Sequence, residues 1–158
     1  MAHRMQNPWP MRPITCSFLL GFLGACADSN TNLPAGWEAA ERIEKLMQMT
    51  CSHSGLDDIE ETLSRGDVTK SALDLTYEHA HFRCEQPVEG YLREHAGALE
   101  ALVQPIDMDP DAVAGCDCLY TIEMHVPIDQ HAHQITVFRR WDNLNSPNAP
   151  IRIGSLEF

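Results

Sequence analysis

Leu73, Leu75 and Tyr77 alternate with Asp74 and Thr76, the two-residue period of a strand with one buried face. The next apolar residues, Ala80, Phe82 and Cys84, have the opposite parity. One irregularity explains both halves: a β-bulge near Glu78 that exchanges the faces of the strand. Phe82 and Cys84 are then expected to face the core, with His79 and His81 looking outward. The most regular alternation is "CDCLYTIEMHV", in which Cys116, Cys118, Tyr120, Ile122, Met124 and Val126 share one side. Asp117, Thr121, Glu123 and His125 share the other. Further strands are predicted over residues 88–94 and 99–105, joined by a turn at 95–98. Another covers "HQITVFRRW", where Ile135 and Val137 oppose Thr136 and Arg140, and a last one covers 151–156. The segments 106–113 and 142–150, rich in Pro, Asp and Asn, read as loops.

The N-terminal part is less regular. Residues 29–36 read as a polar tether ending in a Pro-Ala-Gly turn. In "GWEAAERIEKLMQM", Trp37, Ala40, Ile43 and Met47 recur at helical spacing among good helix formers, which predicts a short helix. The alternative phase is a strand over 43–50 that leads into Cys51. Residues 56–63 read as a short surface helix or a loop. The expected fold is mainly β: an antiparallel β-sandwich of six or seven strands, with an immunoglobulin-like layout among its options, and an irregular or short helical N-terminal cap.

A different pattern precedes the tether. The run "MRPITCSFLLGFLGAC" places one arginine before an apolar stretch too short to span a bilayer, then small residues and Cys26. It resembles a bacterial lipoprotein signal with "LGAC" as the lipobox, although glycine in the second place departs from the commonest form. That resemblance implies export, removal of residues 1–25 and acylation of Cys26, so that the lipid bilayer is the first partner. The alternative is a short buried helix over 18–23 in a cytoplasmic protein. The expected organisation is a signal peptide over 1–25, a lipidated cysteine and tether over 26–36, the cap over 37–69 and a β-domain over 70–158.

The formal net charge is −12, from 11 Lys and Arg against 23 Asp and Glu. Loss of residues 1–25 removes Arg4 and Arg12 and no acid, which takes −12 to −14. A chain so acidic lacks the electropositive footprint that nucleic acid requires.

Cys51, Cys84, Cys116 and Cys118 remain after the signal segment and Cys26 are set aside. In an exported chain an even number reads as two disulfides, with three pairings open. Cys116 and Cys118 lie about 6.5 to 7 Å apart along an extended strand with parallel side chains. Each is therefore expected to pair with Cys51 or Cys84 rather than with its neighbour.

No cofactor is expected, but the histidines offer an alternative. "HAH" occurs twice, at His79 and His81 and at His131 and His133. On a strand this spacing puts both imidazoles on one side, able to chelate zinc or copper if His125, Asp129 or Glu123 approaches. The competing reading is a set of solvent-facing histidines on an acidic surface. For catalysis, Ser52 and His53 are merely adjacent, which gives no triad geometry, and no catalytic residue is assigned. Arg139, Arg140 and Trp141 are read two ways: Arg140 as a surface for a carboxylate-bearing partner, and Arg139 with Trp141 as a buried edge or ion pair.

The stretches "EHAHFRCEQ", "VQPIDMDPDAVAGCDCLYTIE" and "VFRRWDN" together resemble uncharacterised bacterial lipoproteins, from about Trp37 to the C-terminus. More loosely the chain is similar to small secreted β-domains in which an Ala-x-Phe-x-Cys strand precedes a Cys-x-Cys strand. The resemblance implies a secreted, cysteine-stabilised β-domain without a transferable activity. The expected role is structural or protein-binding at the cell envelope, with a periplasmic zinc- or copper-binding domain as its rival and a hydrolase or redox enzyme behind both.

Overall fold

The computed structural model describes residues 33–54, 59–106, 116–141 and 149–158. The expected signal segment, Cys26 and most of both predicted loops lie outside the described residues. Those described fall in one compact unit spanning 32–158. They form β1 (Glu41–Arg42), β2 (Lys45–Gln48), β3 (His53–Ser54), β4 (Thr62–Val68) and β5 (Ala72–Arg83). After these come β6 (Val88–His95), β7 (Ala98–Pro105), β8 (Asp117–Pro127), β9 (Gln134–Arg139) and β10 (Ile151–Glu157).

The strands make two sheets, ordered β1-β6-β7-β9-β10 and β2-β8-β5-β4, with β3 also paired to β8. All neighbours are antiparallel except β7 and β9, which run parallel with Leu99 opposite Ile135. The purely antiparallel expectation fails at that pair. It fails because β8, which lies between them in sequence, leaves for the other sheet and returns the chain in the same direction.

Both sheets feed one buried cluster. Leu73, Leu75, Tyr77, Ala80, Phe82, Ile122, Met124 and Val126 from the second sheet meet Ala101, Val103, Ile135 and Val137 from the first. The bulge in β5 makes this possible. Pairing with β8 runs in register to Tyr77, resumes at Ala80, and His79 sits at a φ of 56°. Left-handed backbone at a non-glycine residue marks the extra position. Beyond it Ala80 and Phe82 are fully buried, as the parity change required.

The helix predicted over residues 36–49 does not form, and β2 lies within the alternative strand read over 43–50. Residues 37–40 make a single turn, in which Ala40 N donates to the Trp37 carbonyl at 2.9 Å, and the chain then changes sheet, pairing with β6 as β1 and with β8 as β2. Ile43 and Leu46 pack on the core from this crossing. A Cβ on Gly90 would stand 2.9 Å from Leu46 Cδ1 and 3.1 Å from Ile43 Cδ1, so the glycine leaves the space they occupy. Helix propensity is a weak preference, and burial of two large side chains with a backbone bond from Ile43 to Gly90 at 2.8 Å overrides it. Met47, inward on the helical reading, is exposed. β1 to β4 thus belong to the two sheets rather than to a cap beside them.

Gln48 finishes the crossing with a side-chain imitation of a strand. Its Nε2 donates to the Gln86 carbonyl at 3.0 Å, and its Oε1 accepts from Val88 N at 3.0 Å. Before the crossing, Trp37 joins Tyr91 and Leu102 in a second cluster with Leu33, Ala40 and Phe138 against it. Arg93 lies 4.0 Å over the Trp37 ring and pairs with Glu100 at 2.5 Å. The end of the predicted tether is therefore packed down by a cation–π contact and an apolar cluster.

Candidate functional site

Arg139 follows Ile135 and Val137 on the core-facing side of β9, so its charge arrives at the edge of the apolar interior and needs a partner. The partner is Glu61, just before β4. Arg139 Nε lies 2.9 Å from Glu61 Oε1, and its Nη2 donates to Oε2 at 3.2 Å. The Tyr77 hydroxyl donates to Glu61 Oε1 at 2.5 Å, and the His81 backbone N–H donates to the same oxygen at 2.9 Å. One carboxylate thus collects a guanidinium from one sheet and two donors from the other. Burial first, and then the Glu61 carboxylate, hold the Tyr77 phenol far above its ordinary range, with Arg139 opposing in smaller measure. A phenol kept protonated and a carboxylate bound by arginine suit a clamp between sheets better than proton transfer near neutrality.

Trp141 lies against this clamp. Its ring centroid is 4.9 Å from that of His81 at an interplanar angle of 64°, and Arg139 approaches its face at 5.2 Å. Arg140 points the other way, as its parity predicted, but not into solvent. It is 7 % exposed and its Nη1 donates to Gln104 Oε1 at 3.4 Å. Gln104 in turn donates to Glu89 at 3.3 Å, and Glu89 lies 3.6 Å from Arg42. The surface read on Arg140 is therefore corrected, since its guanidinium is buried in an amide-linked chain, while Arg139 beside Trp141 makes the buried ion pair of the other reading. Burial, followed by Glu89, also raises the Tyr91 phenol.

The histidines separate. His79 sits in the bulge with Nδ1 3.1 Å from the Glu60 carbonyl. His81 packs its ring edge-on against Trp141. His131 and His133 lie in the connection before β9, where Asp129 accepts the backbone N–H groups of His131 at 2.7 Å and Ala132 at 2.8 Å. Those two bonds, helped by the nearby imidazoles, hold the Asp129 carboxyl below its usual range. His125 faces outward as expected, with Nδ1 2.6 Å from Asp74 Oδ1. Among the described residues no three His, Cys, Asp or Glu side chains converge on one point. The zinc or copper alternative on His79, His81, His125, His131 and His133 therefore loses its geometry there. Ser52 donates its hydroxyl to the Leu119 carbonyl at 3.0 Å, a backbone contact rather than a link to a base.

The cysteines pair as Cys51 with Cys118 and Cys84 with Cys116, at Cα separations of 5.7 and 5.5 Å. Each cysteine of the Cys-x-Cys strand thus takes its own partner, as the strand spacing required. Cys84 N donates to the Cys116 carbonyl at 2.9 Å, so this bridge closes the end of the β5–β8 pairing. Beside it the Tyr120 hydroxyl donates to the Arg83 carbonyl at 3.2 Å and accepts from Glu85 N at 3.0 Å.

Sequence reasoning missed Glu61 and the polar use of Tyr77. Within "DDIEE" nothing distinguishes the acid that turns inward, and the only available signal was a charged residue at Arg139 on an apolar face. On its outer side the second sheet forms a shallow groove of about 620 Å³ whose lining includes Lys45, Met47, Asp67, Asp74, Glu123 and His125. In comparisons with known proteins, no family, no curated protein and no solved structure matches this chain.

Proposed function

We propose that the chain is a lipid-anchored protein of the cell envelope with a non-catalytic role, structural or protein-binding, built as a two-layer β-sandwich of immunoglobulin-like layout. The observation that carries this reading is the pairing of all four cysteines of the β-unit. Such bridges persist in exported proteins and are rare where thiols are kept reduced. The signal-like run over residues 11–26 and the resemblance to bacterial lipoproteins agree with it. The shared core and the crossing of the chain from one sheet to the other between β1 and β2 support the sandwich. Acylation of Cys26, with inner or outer membrane as its destination, supplies the anchor, and the packed β-unit supplies a surface for an envelope protein partner.

The test is expression in a bacterial host with labelled palmitate, followed by membrane fractionation of the chain and of Cys26→Ala. The reading expects the parent chain to be labelled and to sediment with membranes, and the variant to be unlabelled and released. An unlabelled parent chain recovered from the cytoplasm with free thiols would end it.

A further inference from the structure

After the bulge, His81 and Arg83 follow each other at alternate positions of β5, on the face opposite Ala80 and Phe82. His81 Nε2 and Arg83 Nε are both shielded from solvent, and neither has a hydrogen-bond partner. Among the described residues no acid pairs with the Arg83 guanidinium. Arg83 is only partly buried, and the two buried arginines are both engaged, Arg139 by Glu61 and Arg140 by Gln104. Buried polar atoms nearly always have partners, so two orphans on one strand face point to a missing acceptor.

Their surroundings are fixed. Pairing of β5 with β4 ends where Thr62 meets Glu78, so no β4 residue pairs with β5 alongside His81 and Arg83. Glu61 holds the His81 backbone, and Trp141 stands against its ring. Donors from an imidazole and a guanidinium on one strand face match the oxygens of an anion, and a charged acceptor forms the stronger bond to both. We propose that His81 and Arg83 form a recognition point for an oxyanion, a carboxylate or phosphate group, with Trp141 as its apolar neighbour. This site does not depend on lipid anchorage, and its test leaves that reading untouched.

The experiment is a titration of the ¹⁵N-labelled full chain in detergent, first with inorganic phosphate and then with acetate, at constant ionic strength. The side-chain signals of His81 and Arg83 are expected to move saturably while those of His131 and His133 do not. Saturation by phosphate alone assigns the site to phosphate groups, and by acetate alone to carboxylates. Arg83→Gln should weaken binding by about tenfold or more, and Arg83→Lys, which keeps the charge but loses the fork, should fall between. If neither anion saturates the His81 signal in the parent chain, the proposal is wrong whatever the variants do. Equal affinity in a folded Arg83→Gln chain would also overturn it, as would matching shifts at all the histidines.

Discussion

Replacing Glu61 by alanine probes the clamp between the sheets most severely. The substitution removes the acceptor for Arg139 Nε at 2.9 Å, Tyr77 Oη at 2.5 Å and His81 N at 2.9 Å. Loss of one member of a buried ion pair costs about 3 to 5 kcal/mol, because the other charge stays behind without compensation. Arg139 is 9 % exposed and Glu61 18 % by side chain, so water reaches part of the pair and the lower end applies, about 3 kcal/mol. At a urea dependence of about 2 kcal/mol per molar, the unfolding midpoint should drop by about 1.5 M with disulfides intact. Arg139→Met should cost about 2 kcal/mol, since Tyr77 and His81 still donate to a carboxylate that water can partly solvate. The double variant should then be about 2 kcal/mol more stable than the sum of the singles predicts, which is the coupling of the pair. If Glu61→Ala costs less than about 0.5 kcal/mol, or the two losses simply add, the clamp does not join the sheets as described.

Three other outcomes follow from the same geometry. Tyr77 is held protonated in the folded state by burial and by Glu61; its stabilising contribution is complete below the unfolded phenol value near 10 and is lost as pH rises above it, by about 1.4 kcal/mol per pH unit. Tyr77→Phe should therefore flatten the decline of unfolding free energy between about pH 10 and 11, and an unchanged slope would show that the phenol ionises equally in both states. Ala96 and Gly97 join β6 to β7 at φ values of 52° and 79°, a two-residue turn that favours Asn before Gly. Ala96→Asn should raise stability by about 0.5 to 1 kcal/mol in a denaturant melt, and a loss would contradict the turn geometry. The bridge from Cys84 to Cys116 closes 32 residues of sequence, so the double alanine variant should lose about 2 to 4 kcal/mol by chain entropy. A melt indistinguishable from that of the parent chain would show that the unfolded state gains no freedom.

The second sheet was largely legible in the sequence because its two long strands carry their burial in their parity. Alternation placed the bulge beside Glu78, and the structure shows the left-handed residue next to it at His79. It also placed Cys118, Tyr120, Ile122, Met124 and Val126 on the buried side of β8, though not the buried Leu119 or the exposed Cys116, and required separate partners for Cys116 and Cys118. The pairing itself was not legible, since it depends on Cys51 lying between β2 and β3, both against β8. Residues 36–49 left helix and strand both open because Ile43 and Leu46, three apart, satisfy a helical face and a sheet crossing equally, and the strand phase is the one observed, as β2. What decides between them is the missing side chain of Gly90, far away in sequence. Arg140 misled for a related reason: parity indicates which face a side chain occupies, but not that Gln104 and Glu89 cover that face. Glu61 lay in a run of acids with no periodicity, where only the tertiary position of Arg139 singles one out.

The central claim, an exported and lipid-anchored β-unit closed by two disulfides, is tested most directly by the intact mass of the chain recovered from membranes without reduction. The account predicts a species that begins at an acylated Cys26 and lacks four hydrogens relative to its reduced form, for the bridges of Cys51 with Cys118 and Cys84 with Cys116. A chain that retains residues 1–25, carries no lipid and gains no mass on reduction would contradict it.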